Sequence, residues 1–209
     1  MSGYLDLLDG YRRFRAHDWA RQRGRWVELG SGQNPRVMVI ACSDSRVDPA
    51  QIFDTSPGEI FVVRNIANLV PPFELDGSRH GVSAALEFAV TQLEVSDIVV
   101  MGHGSCGGVE AALSRRFAGR APGAGGFIAH WVDMLDEARD RIVAEYGVGP
   151  TAVREMELET VRVSLRNLRT FPCIPERENA GTLKLHGAYF AIADGKLHLM
   201  DELGHFGAA

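Results

Sequence analysis

"VMVIACSDSRVDP", residues 37–49, joins a short apolar run to a segment rich in functional groups. The apolar run within residues 36–41 is typical of a strand that is buried on both faces of a parallel sheet. Cys42, Asp44 and Arg46 follow at alternate positions, and alternate side chains of an extended segment point to the same side. The stretch therefore predicts a buried strand with a cluster of chemically active side chains at its carboxyl end.

Two further short runs, Ile60–Val63 and Asp97–Met101, have the same character and predict two more buried parallel strands. Two strand-like runs within Leu183–Asp201 flank Asp194-Gly195, a dipeptide that favours a tight hairpin turn. The resulting order predicts an α/β fold with a central, mostly parallel β-sheet, an antiparallel hairpin at one edge and flanking helices. The helices are predicted from apolar periodicity at residues 49–54, 81–95, 108–117, 127–146 and 151–168.

The chain of 209 residues is long enough to bury a core, and it shows no internal repeat and no linker. A single domain over residues 1–209 is therefore expected. An amphipathic helix is predicted over residues 4–23 from apolar side chains at spacings of three, namely Leu5, Leu8, Tyr11 and Phe14. Residues 1–25 are accordingly expected to form an N-terminal helical arm.

The composition excludes several classes of partner. The 22 basic and 27 acidic residues give a net charge of −5 without a basic block, so neither nucleic acid nor a membrane surface is expected. Charged residues interrupt the first fifteen positions, and no segment has the length and apolarity of a membrane span. Three cysteines, an odd number, argue against a disulfide framework. We expect a cytoplasmic protein whose thiols serve metal binding or catalysis.

A metal site is predicted where the first and third strands end. "GHGSCGG", residues 102–108, supplies His103 and Cys106 from one tight glycine-rich loop, and Cys42 lies at the same edge of the predicted sheet. Two thiolates and an imidazole suit Zn²⁺, and three protein ligands leave a fourth position for water, as in catalytic zinc sites. Taken singly, Cys42 could be a small core residue and His103 a loop histidine. Cys173 has no companion ligand nearby and is predicted to be structural.

The same loop matches a dinucleotide-binding fingerprint, since Gly102, Gly104 and Gly107 have the GxGxxG spacing after a strand. That fingerprint also needs a second strand that ends in an acidic residue about twenty positions on. Residues 111–132 contain neither Asp nor Glu and no strand-like run. The metal site is therefore the better interpretation of the glycines.

Asp44 and Arg46 are predicted to face the metal cavity together with Cys42. Asp44 could accept a hydrogen bond from a metal-bound water, or it could become the fourth ligand. Arg46 can hold Asp44 in a bidentate pair and prevent the carboxylate from binding the metal. The alternative is an ordinary surface ion pair without a role at the site. Because two thiolates neutralise the charge of Zn²⁺, the bound water should be a weaker acid than the water of a three-histidine zinc site, whose pKa is near 7. We therefore expect turnover to rise through mildly alkaline pH.

With these residues in place, the sequence resembles a β-class carbonic anhydrase of the plant-like branch. The motifs that carry the resemblance are "CSDSR" at 42–46, "VVRNIANLVPP" at 62–72 and "GHGSCGG" at 102–108. The resemblance implies a lyase that interconverts carbon dioxide and bicarbonate through zinc-bound hydroxide, with one Zn²⁺ per chain. Its implied metal ligands are Cys42, His103 and Cys106, and Asp44 and Arg46 are its implied catalytic pair.

The resemblance also implies a homodimer, a tetramer or another multiple of dimers, with residues 1–25 packing on the partner subunit. Its implied substrate-binding residues are Gln33, Phe61, Phe88 and Gly107; at position 88 a tyrosine is common in the plant enzymes. Members with a regulatory bicarbonate site carry a tryptophan, an arginine and a tyrosine where this chain has Val39, Arg64 and Phe190. The resemblance therefore implies the open, type I active site.

Two rival functions stay open on the sequence alone. A hydrolase of carbon disulfide or carbonyl sulfide would use the same ligands, and a non-catalytic protein would use a structural zinc closed by Asp44. The acceptor of the released proton is also open among His17, His80 and Tyr189.

Overall fold

The structure is a computed structural model that describes residues 3–76 and 79–209. The chain divides into two compact units, one that ends at Asn34 and one that spans Pro35–Ala209. The first unit consists of three helices: α1 (Tyr4–Ala16), α2 (Asp18–Arg21) and α3 (Arg23–Leu29).

The single helix predicted over residues 4–23 is wrong, since the chain breaks at His17 and Gln22. The ring of Phe14 packs edge-on against that of Trp26 with centroids 5.7 Å apart. Twelve residues of continuous helix would separate them by about 18 Å. The chain therefore has to turn between them, and that contact accounts for the breaks.

Six strands of the second unit form one sheet in the described part of the chain. They are β1 (Val37–Cys42), β2 (Ile60–Asn65), β3 (Asp97–His103), β4 (Lys184–Ala191), β5 (Lys196–Met200) and β6 (Phe206–Ala208). Their order in the sheet is β2-β1-β3-β4-β5-β6. Strands β1 to β4 pair in parallel, while β5 and β6 add antiparallel strands at one edge. This arrangement confirms the predicted fold class, with the first hairpin strand serving as the fourth parallel strand.

Helices flank this sheet at the predicted places, with two differences. The predicted helix over residues 127–146 is divided by a 3-10 turn at Asp133–Leu135, and the last helix, Cys173–Asn179, was not predicted. Among the strands, β6 was not predicted. The helices of this unit are α4 (Pro49–Ile52), α5 (Gly81–Thr91), α6 (Gly107–Leu113), α7 (Gly126–Val132), α8 (Asp136–Tyr146), α9 (Pro150–Leu168) and α10 (Cys173–Asn179).

Both faces of β1 are buried, as its continuous apolar run predicts. Met38 and Ile40 belong to the core cluster of Leu86 and Leu165, whereas Val39 and Ala41 belong to a separate cluster. No helix among residues 3–76 and 79–209 combines the length and apolarity needed to cross a bilayer.

The strand register positions the site. Ala41 of β1 is paired with Met101 of β3, so Cys42 and His103 come one and two residues later at the same edge. The carboxyl ends of the parallel strands are where α/β sheets place their ligands.

Candidate metal centre

The three predicted metal ligands are assembled at this edge. Cys42 ends β1, His103 ends β3, and Cys106 immediately precedes α6. The sulfur atoms of Cys42 and Cys106 are 4.0 Å apart, and the three ligand atoms all lie within 4.8 Å of one another. All three side chains are buried, so they form one enclosed donor set.

His103 uses one ring nitrogen to fix its orientation and presents the other to the donor set. Nδ1 lies 2.9 Å from the carbonyl oxygen of Gly104, which assigns the proton to Nδ1 because a carbonyl oxygen can only accept. Nε2 is buried and has no hydrogen-bond partner in the part of the chain that the structure describes. A buried polar atom without a partner is costly unless a ligand satisfies it. Nε2 is thus poised to bind a metal ion.

The neighbouring thiols of Cys42 and Cys106 have opposite pKa shifts. The hydrogen bond with Cys106 lowers the pKa of Cys42 to about 4, although burial opposes this. The hydrogen bond with Cys42, together with burial, raises the pKa of Cys106. Burial lowers the pKa of His103, but the contact with Cys42 raises it overall. These shifts favour a thiolate at Cys42, and a bound dication would favour loss of the proton from Cys106 as well.

The residues present fit zinc. Thiolate and imidazole are donors that Zn²⁺ takes up, and three of them leave one tetrahedral vertex for water. Two sulfurs bound to one tetrahedral zinc at about 2.3 Å would lie about 3.8 Å apart. The observed separation of 4.0 Å between the sulfurs of Cys42 and Cys106 is close to that value.

Asp44 and Arg46 form the predicted bidentate pair. Nε of Arg46 donates to Oδ1 of Asp44 at 2.9 Å, and Nη2 donates to Oδ2 at 2.6 Å. These hydrogen bonds hold the pKa of Asp44 well below its usual range. Nη2 also donates to the carbonyl oxygen of Ser105 at 3.0 Å. Arg46 therefore links the Cys42 loop, defined as residues 42–48, to the His103 loop, defined as residues 103–106.

Arg64 has a role in the Cys42 loop that the sequence did not predict. Its Nε donates to the carbonyl oxygen of Cys42 at 2.9 Å, and Nη2 donates to that of Asp44 at 2.6 Å. Nη1 pairs with the carboxylate of Asp48 at 2.9 Å, and Asp48 in turn caps α4. Arg64 thus fixes the backbone on both sides of the turn that carries Cys42.

Besides the hydrogen bond from Arg46, the His103 loop is held by close packing. A Cβ on Gly102 would lie 2.8 Å from Cγ2 of Val161, and one on Gly104 would lie 2.9 Å from Oη of Tyr189. Both positions therefore require glycine. Ser105 adopts a left-handed backbone conformation with φ of 56°, which costs free energy in a residue other than glycine. Other contacts must keep the loop in this conformation.

Glu157 of α9 makes contacts that hold the loop in this conformation. The sequence did not predict this role. Its side chain is buried, and its Oε1 accepts a hydrogen bond from the backbone N–H of Cys106 at 3.2 Å. Oε2 accepts one from the hydroxyl of Tyr189 at 2.8 Å. Burial raises the pKa of Glu157, whereas the backbone N–H groups of Cys106 and Ser105 lower it in part. No short-range sequence pattern connects Glu157 to a loop 51 residues away.

The predicted substrate residues are distributed unevenly. Phe61 and Phe88 pack together with ring centroids 6.0 Å apart, but Phe61 is in register with Met38, four residues before Cys42. That offset is about 13 Å along the strand. A Cβ on Gly107 would meet nothing within 4 Å, so the space beside this residue is open. Gln33 is exposed and belongs to the first unit.

Three further residues stand apart from the donor set. Cys173 begins α10 and packs against the core, as expected of a structural cysteine. The hydroxyl of Tyr189 donates a buried hydrogen bond to Oε2 of Glu157. Nε2 of His80 lies 2.6 Å from Oδ1 of Asp76. The identity of the proton acceptor stays a prediction without a ranking.

An α/β sheet that carries a buried Cys₂His donor set at the ends of two adjacent parallel strands, beside an Asp–Arg pair, defines a class of metalloenzyme. Comparisons with known proteins identify the family within that class. A model of the carbonic anhydrase family matches residues 37–197. A carbonic anhydrase from Synechocystis sp. is 32% identical over 202 residues, which cover 95% of this chain and 72% of that protein.

Solved structures agree with this match. The β-carbonic anhydrase CcaA has a TM-score of 0.89 and 32% identity, covering 97% of this chain and 90% of that chain. A tetrameric β-carbonic anhydrase from Sordaria macrospora has a TM-score of 0.78 and 28% identity, covering 97% of each chain. The chain belongs to the β-class carbonic anhydrases and is an enzyme of that family.

Proposed function

We propose that this enzyme hydrates carbon dioxide reversibly to bicarbonate and a proton at one zinc ion per chain, bound by Cys42, His103 and Cys106. The observation that carries the proposal is the buried donor set in which Nε2 of His103 has no partner among the described residues. Membership of the carbonic anhydrase family supports the reaction.

Asp44 and Arg46 are proposed to orient the attacking water. When bound, zinc would act as a Lewis acid that makes water a nucleophile at mildly alkaline pH. The carboxylate of Asp44 would accept a hydrogen bond from the attacking water and orient it toward the carbon of carbon dioxide. Arg46 binds both carboxylate oxygens of Asp44, which favours a carboxylate held away from the metal. We therefore propose the open, type I arrangement, as in the plant-like branch.

The proposal includes the lack of a regulatory bicarbonate site. Such a site is expected to use an arginine between a tryptophan and a tyrosine, and this chain has Val39 and Phe190 at the two aromatic positions. Arg64 already donates to Cys42, Asp44 and Asp48. An arginine with its donors engaged in this way is poorly suited to bind a free anion.

Phe61 and Phe88 are proposed to line the substrate pocket of a partner subunit. About 13 Å along the strand separates Phe61 from Cys42 of its own chain, while Phe88 is 45% exposed. A homodimer or a multiple of dimers would bring such an aromatic pair to a second metal centre, with Gln33 and Gly107 as further pocket residues. The tetrameric relative from Sordaria macrospora supports an assembly of this kind.

Residues 1–209 are proposed to form one carbonic anhydrase domain. Its N-terminal arm, residues 1–25, is proposed to pack on the partner subunit. Helix α1 leaves Tyr4, Leu5, Leu7 and Tyr11 exposed, and an exposed apolar helix face indicates a protein interface. Light scattering is expected to give two or four times the chain mass, and the variant Leu5→Asp is expected to weaken that assembly. We also propose a reducing compartment such as the cytoplasm, because the ligand cysteines must stay thiolates.

A stopped-flow assay with a pH indicator tests the proposed reaction. Purified protein is expected to carry one zinc per chain, to hydrate carbon dioxide and to lose activity when a strong chelator removes the metal. Parallel assays with carbon disulfide and carbonyl sulfide are expected to give much slower turnover. Stoichiometric zinc without turnover of any substrate would identify a structural zinc and would contradict the proposal.

A further inference from the structure

Helix α9 carries two buried glutamates that have different surroundings. Glu157 and Glu159 are both 3% exposed. Glu159 is paired with three arginines, Arg141, Arg162 and Arg166, at 3.0 to 3.2 Å. Glu157 instead directs its carboxylate toward the His103 loop and Tyr189. Glu157 feels the charge of Arg154 but forms no ion pair with the residues that the structure describes. Burying a carboxylate without such a pair costs free energy, so its retention at position 157 calls for a specific role.

The contacts of Glu157 converge on one short backbone segment. Oε1 accepts the N–H of Cys106, and the N–H of Ser105 also lowers the pKa of this carboxyl. Ser105 is the residue with the left-handed φ of 56° between the two ligands of the loop. Successive N–H groups in such a turn form a concavity that binds an anion. The carboxylate of Glu157 occupies that concavity from within the protein.

The helix also packs directly on the loop at this point. A Cβ on Gly102 would lie 3.3 Å from the carbonyl oxygen of Glu157, and Tyr189 donates to Oε2 at 2.8 Å. Both oxygens of the carboxylate are therefore directed by a donor. The side chain of Glu157 cannot turn away from Cys106 without losing at least one buried hydrogen bond.

We propose that Glu157 is a positioning residue of the metal centre, which holds the His103 loop in the strained conformation that aims His103 and Cys106 at one metal ion. The inference rests on the zinc centre proposed above. Glu157 is not a member of the donor set, and it acts through the backbone N–H of Cys106. Groups that orient metal ligands in this way change metal affinity by about 10- to 100-fold when they are removed.

Metal release from three variants tests this role. Glu157→Gln keeps the shape but leaves only one oxygen to accept two hydrogen bonds, and Glu157→Met removes both acceptors. Glu159→Gln is the matched control, since it makes the same change two residues away on the same helix. Zinc release is followed by transfer to a coloured chelator, and thermal unfolding is measured alongside. The absorption bands of protein loaded with Co²⁺ report the ligand geometry independently of activity.

The expected order of zinc release is wild type and Glu159→Gln slowest, Glu157→Gln faster by about threefold or more, and Glu157→Met faster by about 10- to 100-fold. The Co²⁺ bands are expected to shift in the Glu157 variants and to match the wild type in Glu159→Gln, even where that control melts at a lower temperature. If Glu157→Met does not fold, the two glutamine variants decide the matter.

Two results would overturn the role of Glu157: wild-type zinc release in Glu157→Gln, or equally fast release in Glu159→Gln. A wild-type protein that binds no zinc would instead overturn the proposed function, and this inference with it. If the wild type binds zinc and is active, and the Glu157 variants release zinc at the wild-type rate, only the positioning role is overturned.

Discussion

The Cys42 loop and the His103 loop bring their side chains to the same candidate donor set by different physical means. In the Cys42 loop, residues 42–48, two arginines hold the backbone and Asp44 through hydrogen bonds between charged and polar groups, and the side chain of Arg46 is 48% exposed. In the His103 loop, residues 103–106, Gly104 packs against Tyr189, the preceding Gly102 packs against α9, and a buried carboxylate accepts the N–H of Cys106.

This difference separates the parts that must react from the parts that must stay fixed. The partly exposed Cys42 loop carries Asp44, the group proposed to meet water and substrate. The His103 loop carries two buried members of the donor set, His103 and Cys106, on a strained backbone that has little room to adjust. Close packing transmits small errors, so we expect substitutions in the His103 loop to affect the metal and those in the Cys42 loop to affect turnover.

The largest effect is expected from Cys106→Ser, which removes a ligand from the fixed loop. Zinc should fall far below one per chain, and carbon dioxide hydration should drop by about 1,000-fold or more. Elemental analysis and stopped-flow assays measure the two quantities. Cys173→Ser is the matched control, because Cys173 packs against the core away from the donor set, and it should keep both zinc and activity. Retention of zinc in Cys106→Ser would contradict the ligand assignment.

The next effect tests the reactive loop. Asp44→Asn should keep zinc but lower kcat by about 100-fold, because the neutral amide orients the attacking water poorly and binds Arg46 less well. Metal content and kcat are measured on the same sample. The neighbouring Asp48→Asn, which loses a pair with Arg64 instead, should lower kcat much less. Equal losses at the two positions would point to a general disturbance of the loop.

A pH profile tests whether each loop contributes one thiolate. A dication with two thiolates is formally neutral, whereas a three-histidine zinc site keeps both positive charges. The pKa of the attacking water should therefore be higher here than the value near 7 at a three-histidine site. Below that higher pKa, kcat should rise about tenfold per pH unit and then level off at alkaline pH. Stopped-flow rates across mildly acidic to alkaline buffers give the profile, and a flat profile would be incompatible with this charge balance.

Packing at the start of the His103 loop is tested by Gly102→Ala, which changes the residue just before His103. The new Cβ would lie 2.8 Å from Val161, and such overpacking should lower the free energy of unfolding by about 1–3 kcal/mol. Gly107→Ala should change the free energy of unfolding much less, because a Cβ there meets nothing within 4 Å. Urea denaturation of both variants gives the comparison. Similar values would mean that the loop adjusts more freely than its close contacts indicate.

The smallest effect is expected from Arg64→Lys in the reactive loop. Lysine can pair with Asp48 but cannot reach both carbonyl oxygens with a planar fork, so the free energy of unfolding should fall by about 1 kcal/mol. Zinc should stay bound. A loss of zinc as large as that of Cys106→Ser would show that the loops do not divide their roles as described.

The sequence predicts the ligands and the Asp–Arg pair because their signals are local. Alternation after a buried strand groups Cys42 with Asp44 and Arg46, and one glycine-rich turn groups His103 with Cys106. The strand ends then bring the two groups together, since neighbouring parallel strands share a carboxyl edge.

Arg64 and Glu157 could not be predicted in the same way. Arg64 acts on a carbonyl group 22 residues away, and Glu157 acts on an N–H group 51 residues away. Every residue carries backbone groups, so the sequence does not show which of them a distant side chain will bind. The breaks in the N-terminal helix have a similar origin, because the contact between Phe14 and Trp26 is tertiary.

X-ray absorption at the zinc edge of the purified, reduced protein tests the central claim most directly. The predicted result is one zinc per chain with two sulfur ligands at about 2.3 Å and two nitrogen or oxygen ligands at about 2.0–2.1 Å. A zinc shell with fewer than two sulfurs, or protein that carries no stoichiometric zinc, would contradict the account.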